Sequence, residues 1–255
     1  MLEGRRILLT GASSGIGATT ASLLGSMGAD VIAHHRSQDD LPGARAAVSD
    51  IDESRRLLLA ADFADDASVD RMWDEAVAWK GSVNVLVQNA AMMSAFGGVD
   101  DNDQVWAQSW SEHMQVNVQA PARLMRAAVR HFREQGGGVI IVMSSWVAQR
   151  GGSNSSMLPY AASKAAIKAV AQSIARAYSA DNILTYIIAP GIVDTKMSRD
   201  FAKLQGGEDA VTQSLAMHEW VPPEDLGNLI AFLAGGTVRH LSGATLDVNG
   251  ASYIR

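Results

Sequence analysis

The chain has 255 residues, no cysteine, and 21 basic against 27 acidic side chains, for a formal charge of −6. That length admits one α/β domain of about 250 residues with a core that needs no disulfide or structural metal, and the missing cysteines exclude thiolate catalysis and cysteine-ligated zinc. Mild acidity argues against a nucleic-acid binder, no run of about 18 apolar residues offers a membrane span, and the start MLEGRRILLTGASSG lacks the apolar stretch of a signal peptide, which together fit a cytoplasmic protein.

Short apolar runs at 5–10, 30–35, 56–61, 83–89, 139–145, 183–190 and 244–250 read as strands. Most are continuous rather than alternating, as in strands covered on both faces. Between them, 16–27, 43–50, 66–80, 103–135, 159–180 and 223–234 read as helices. This alternation predicts an α/β fold with a doubly wound parallel sheet and helices on both sides. No linker divides the chain, so 1–255 reads as one domain. The stretch 191–221, between a Pro-Gly turn and Pro222-Pro223, fits no simple element and is expected to be a substrate loop or a surface excursion with one helix.

The first strand runs into Thr10-Gly11-Ala12-Ser13-Ser14-Gly15-Ile16-Gly17, which opens the first helix. Glycines let the backbone turn tightly and approach a ligand, and a helix N-terminus offers free N–H groups to a pyrophosphate. The spacing is G-x-x-x-G-x-G, and the strand–turn–helix context makes it a candidate dinucleotide site. The second strand ends in His34-His35-Arg36, where an NAD site usually carries an acid and an NADP site an arginine. NADP is therefore preferred, with protonated His34 and His35 expected to strengthen that preference in mild acid. Asp39 and Asp40 follow closely and leave a second reading, in which an aspartate takes the ribose and Arg36 turns outward.

Further on, Pro159 starts a helix in which Tyr160 and Lys164 lie four apart, on one face. An ammonium beside a phenol stabilises phenolate and lowers the tyrosine pKa, which would let it pass a proton at neutral pH. Alone, the pair also suits an ordinary amphipathic helix with a snorkelling lysine.

Together these pieces resemble the short-chain dehydrogenase/reductases over essentially the whole chain. The residues that carry the resemblance are TGASSGIG at 10–17, Asp62-Phe63, Gln88-Asn89-Ala90-Ala91, Asn117, Ser145, Tyr160, Lys164 and Pro190-Gly191-Ile192-Val193-Asp194-Thr195. The resemblance implies a Rossmann-like sheet and hydride transfer between a nicotinamide cofactor, NADP with NAD as second choice, and a carbonyl or secondary alcohol. It implies that Tyr160 passes the proton, that Ser145 donates a hydrogen bond to the reacting oxygen, and that Lys164 tunes Tyr160 and holds the ribose. Asn117 would hold a water of the proton relay. The cofactor contacts it implies are Gly11, Ser13, Ser14, Gly15, Ile16, Gly17, Arg36, Asp62, Phe63, Asn89, Ala90, Ala91, Tyr160, Lys164, Pro190, Gly191, Val193 and Thr195, with no metal.

The chain departs from the family pattern at Gln88, Ala91 and Tyr186, and Ser145 and Tyr160 stand two residues further apart than is commonest, the excess falling at 151–157. Ser144 rivals Ser145 for the serine role. Met92, Met93, Phe96, Trp146, Met157, Met197, Met217 and Trp220 lie in segments that surround the family's substrate pocket, which leans toward a partly apolar substrate. A homotetramer is implied, and Trp106, Trp110, Met114, Leu124, Met125, Val129 and Phe132 are expected to supply its apolar contacts. The alternative function is a catalytically silent NADP-binding sensor or scaffold.

Overall fold

The computed structural model describes residues 2–255. Seven parallel strands form one sheet in the order β3-β2-β1-β4-β5-β6-β7. They are β1 (Arg6–Leu9), β2 (Asp30–His35), β3 (Arg56–Ala60), β4 (Val85–Gln88), β5 (Gly138–Met143), β6 (Ile183–Pro190) and β7 (Thr245–Val248). Each lies within or beside an expected run.

Alternate side chains of these apolar strands feed two cores. Ile7, Leu9, Val85, Val87, Val139, Ile141 and Tyr186 face one layer, with Leu24 of α1 (Gly15–Ser26) and Leu226 and Ile230 of α10 (Pro223–Ala234). Leu8, Leu86, Ile140, Val142 and Ile187 face the other. There they meet α3 (Asp66–Lys80), α5 (Ala120–Glu134) and α7 (Leu158–Tyr178). The period of two along each strand thus fills both sides at once, which explains why the runs are apolar throughout. Tyr186, one of the departures from the family pattern, is a core residue whose hydroxyl donates to Val238 O at 3.0 Å.

Two expectations change. The segment 103–135 is not one helix. It is α4 (Asp103–Met114), a π-helical turn over Gln115–Gln119, and α5. Leu124, Met125, Val129 and Phe132 are consumed by the chain's own core, so only Trp106, Trp110 and Met114 of the expected assembly set keep partial exposure. The stretch 191–221 holds two short helices, α8 (Lys196–Ala202) and α9 (Glu208–Ser214), rather than one. The remaining helices are α2 (Leu41–Ala47) and the single turn α6 (Val147–Arg150). Among the described residues no helix is long and apolar enough to cross a membrane.

The end of β2 is tied to its neighbours through His34. Its Nδ1 accepts the Gly11 N–H at 3.0 Å, so Nε2 carries the proton and donates to Ala61 O at 2.9 Å. The ring also stacks on Phe63, with centroids 4.8 Å apart. Burial lowers its pKa to about 4, outweighing the bond to Ala61 that raises it, with smaller influences from His35, Asp40 and Asp62. His34 therefore stays neutral in mild acid, contrary to the expectation that it adds charge beside a phosphate. His35 turns its Nδ1 toward Ser37 O at 2.8 Å.

A folded-state pKa below the ordinary imidazole value has a fixed consequence. The stability it contributes is complete above about pH 6.5 and is lost as pH falls toward 4, where the unfolded chain binds a proton that the fold refuses. The loss is on the order of 3 kcal/mol. Urea unfolding at about pH 7.5 and pH 4.5 should show His34→Asn losing less stability on acidification than the unsubstituted protein, by roughly one proton's linkage. Identical pH slopes for the two proteins would contradict this role.

Candidate active site

Order 3-2-1-4 places the sheet's change of direction between β1 and β4. Loops leaving the carboxyl ends of such a pair diverge and open a crevice. A cleft of about 890 Å³ lies there, within the range of cofactor pockets. All eighteen residues expected to touch a cofactor line it, from Gly11 through Arg36, Asp62, Phe63 and Asn89 to Thr195.

Its floor is the glycine turn. Thr10 Oγ1 accepts the N–H groups of Asn89 at 2.9 Å and Ala90 at 3.0 Å and donates to Val87 O at 3.2 Å. The Asn89 amide donates in return to Thr10 O and Gly11 O. This contact leaves no room for side chains. A Cβ at Gly17 would sit 1.9 Å from Gly11 O, and one at Gly15, where φ is +51°, would meet Thr195 at 2.9 Å. The N-cap of α1, Ser14, is extended and its hydroxyl caps nothing, so the first N–H groups of the helix are left for a ligand. A dinucleotide pyrophosphate fits that end. Thr10 was not among the candidate site residues. It was legible only as the first letter of a motif, because its work is a hydrogen-bond pattern rather than a periodicity.

At the adenosine end, Arg36 and Asp40 both line the cleft and face each other, with Nε 3.4 Å from the carboxylate. The Asp40 carboxylate also accepts from Ser37 Oγ. Arg36 is 71% exposed, so this pair is weak and its guanidinium is available to a ligand. Asp62 accepts the Ala64 N–H and stays exposed, while Phe63 is held by the His34 stack.

The opposite end gathers Ser145, Tyr160 and Lys164. The Ser144 hydroxyl donates to Lys164 O at 3.0 Å, a bond that fixes α7 against β5. Ser145 also lines the cleft, with its hydroxyl hydrogen-bonded to the Tyr160 phenol and a long 3.4 Å contact from Val147 N. The Lys164 ammonium is buried, donates to Met143 O at 2.9 Å, and lies 5.8 Å from the centre of the Tyr160 ring.

Burial decides both pKa values. Desolvation pushes Tyr160 up to about 12, with Ser145 opposing the rise, and brings Lys164 down to about 8. The expectation that the ammonium lowers the tyrosine pKa is therefore not met, because dry surroundings penalise the phenolate and the opposing influence comes from the Ser145 hydroxyl. At neutral pH the pair is phenol and ammonium, the forms suited to giving a proton.

Asn117 sits in the π turn, buried, outside the cleft wall. Its Oδ1 accepts the Met92 N–H, and its amide donates to Met92 O at 2.9 Å and Ser163 Oγ at 3.0 Å. Both amide protons are thus spent on tying the loop after β4 to α7, so the side chain positions rather than donating to a water. Of the expected substrate-pocket residues, Met93, Trp146, Met157 and Met197 line a smaller chamber beside Ser145 and Tyr160, and Met92 lines the main cleft. Phe96 and Met217 are turned to solvent, and Trp220 donates to Thr212 Oγ1 from the wall's outer layer. Ser198 and Lys196 also line the cleft, a contribution of α8 that apolar patterning could not reveal.

A family model described as enoyl-(acyl carrier protein) reductase matches residues 11–251. The chain is 30% identical to the 3-oxoacyl-[acyl-carrier-protein] reductase FabG of Escherichia coli, over 99% of this chain and 98% of that one. A crystal structure of a short-chain dehydrogenase from Burkholderia cenocepacia in complex with NADP superposes with a TM-score of 0.85 at 32% identity, covering 98% of both chains. One of a 3-ketoacyl-(acyl-carrier-protein) reductase from Brucella melitensis complexed with NADH gives 0.87 at 27% identity over the full length of both. The doubly wound sheet, the cleft at its change of direction, and these full-length matches place the chain in the short-chain dehydrogenase/reductase family of nicotinamide-dependent oxidoreductases.

Proposed function

We propose that the protein is an NADP(H)-dependent enzyme interconverting a carbonyl and a secondary alcohol. The observation that carries this reading is the convergence of Ser145, Tyr160 and Lys164 on the same cleft as the open helix N-terminus and Arg36. The relatives support it, one named for reduction of a 3-oxoacyl group and one solved with NADP.

The glycine turn and the α1 N-terminus would hold the pyrophosphate, Arg36 the 2′-phosphate, and Lys164 with Tyr160 the nicotinamide ribose. When bound, the reduced nicotinamide supplies hydride to the carbonyl carbon and is itself oxidised. As the C=O π bond breaks, Tyr160 gives its proton to the oxygen. Ser145 donates a hydrogen bond to that oxygen, stabilising its developing charge. Lys164, cationic below about pH 8, stabilises the phenolate left on Tyr160 until it is reprotonated from solvent. A silent sensor on the same fold would have no use for a desolvated phenol and ammonium on the cleft wall. A cytoplasmic homotetramer is part of the proposal, and light scattering at micromolar concentration tests the assembly directly.

Three outcomes are expected. Tyr160→Phe should retain cofactor binding while turnover falls by about 10²–10⁴-fold. Near-normal kcat in that folded variant removes Tyr160 from the chemistry. The reduction rate should be level below about pH 8 and fall above it as Lys164 loses its proton, so an optimum in alkali contradicts the assignment. NADPH should bind more tightly than NADH by roughly ten- to a hundred-fold, the worth of one charge-assisted phosphate contact. Arg36→Ala with His35→Asp should reverse the order. Equal or tighter NADH binding at neutral pH would instead favour Asp40 on the ribose.

A further inference from the structure

The chamber beside the reacting groups describes the substrate's body. It holds about 80 Å³ and opens on Ser145 and Tyr160. Met93, Trp146, Met157, Ile192, Phe201 and Val211 supply most of the wall. All of these but Val211 belong to a small apolar cluster separate from the two main cores, so the chamber is a built pocket rather than a gap between loops.

No lysine, arginine, histidine, aspartate or glutamate lines this chamber. The two arginines nearest its wall are occupied elsewhere. Arg150 stacks on the Trp146 ring at 4.0 Å. Arg199 is held by Asp194 and Glu208, both at 2.7 Å. A carboxylate or phosphate in the chamber would lose its water and gain no counter-charge, at a cost of several kcal/mol. One polar side chain stands apart. Gln205, from the turn after α8, lines the chamber, and among the described residues its amide makes no hydrogen bond to the protein. The other wall hydroxyl beyond the reacting pair, Ser198, is paired with Thr195 at 3.2 Å.

We infer that the substrate carries its reacting carbonyl or secondary alcohol beside an uncharged, mainly hydrocarbon body that enters this chamber, and that Gln205 is the specificity residue that reads a polar substituent away from the reacting carbon. This rests on the oxidoreductase reading above. A cyclic ketone without charged substituents belongs to this class, whereas a charged substituent would find no partner among the lining residues. Methionines at three wall positions let the pocket adapt to small changes of ring shape.

The test is a matched series assayed with NADPH and with NADH: cyclohexanone, 4-hydroxycyclohexanone and 4-oxocyclohexanecarboxylate. Cyclohexanone and its hydroxylated analogue should exceed the carboxylate in kcat/KM by about 100-fold or more, the equivalent of an unpaired buried charge. Gln205→Leu should lower kcat/KM for 4-hydroxycyclohexanone relative to cyclohexanone by about tenfold, one lost hydrogen bond. Val211→Phe, which fills the chamber, should raise KM for cyclohexanone far more than for acetone while cofactor affinity stays constant as a check on folding. Preference for the carboxylate, or a Val211→Phe effect independent of substrate size, overturns the inference and leaves the oxidoreductase reading standing. Absence of nicotinamide turnover with every member of the series overturns both.

Discussion

The contact on which the rest of this structure depends is the one between the ends of β1 and β4. Here the chain reverses the direction in which it lays down strands, and two loops that would otherwise diverge are held together by Thr10 and Asn89. Four hydrogen bonds join polar groups of one loop to polar groups of the other in a part-buried place. Unmade, each would cost the desolvation of a buried donor or acceptor, so the tie is all-or-none in character. Its closeness forces glycine at position 17, since only a residue without Cβ passes Gly11 O. The helix N-terminus that follows is then fixed at the floor of the cleft. His34 extends the same network to β3 through Gly11 and Ala61, so the glycine turn is braced from both sides.

At the other end of the cleft, burial is the governing term. A cation and a phenol share a dry wall, and each is pushed toward its neutral form by the lack of solvent. The lysine's one protein partner is a backbone carbonyl, Met143 O, with no carboxylate to anchor its charge. A group so held is cheap to discharge and recharge near neutrality, which is the property asked of a proton-handling pair. Ser144 and Ser145, adjacent in sequence, divide their labour by direction alone. One hydroxyl is bonded to the backbone of α7 and the other to the Tyr160 phenol.

Much of this could be read from the chain, for reasons that are physical. Strands buried on both faces must be apolar throughout, and 139–143 or 183–188 could hardly be anything else. The glycine turn is legible because close backbone approach admits one residue type, and the Tyr160–Lys164 pair because a helix presents every fourth residue on one side. What escaped the reading depends on partners remote in sequence. Leu124 and Phe132 could serve a core or an interface equally well by pattern, and only the position of the sheet assigns them to the core. Phe96 looked like a pocket residue by segment, but Ser109 and Trp110 hold its loop by the backbone and leave the ring outside. The His34 ring looked like a titratable charge near a phosphate, and the Gly11 N–H and Ala61 O claim both its nitrogens.

The π turn at Gln115–Gln119 has a consequence for how this helical segment can vary. An α-helix advances about 100° per residue, so the direction of every side chain is normally locked to all those before it. One wider turn breaks that lock: it works like a gear with an extra tooth. α4 can orient Trp106 and Trp110 toward their own surroundings while α5 independently presents Leu124 and Phe132 to the sheet. Asn117 sits on the splice itself, aimed by neither helix's periodicity but by Met92 and Ser163. The segment therefore behaves as two modules with separately adjustable phase, and the outward face of α4 is free to diverge among relatives without disturbing either the core beneath α5 or the loop that Asn117 holds.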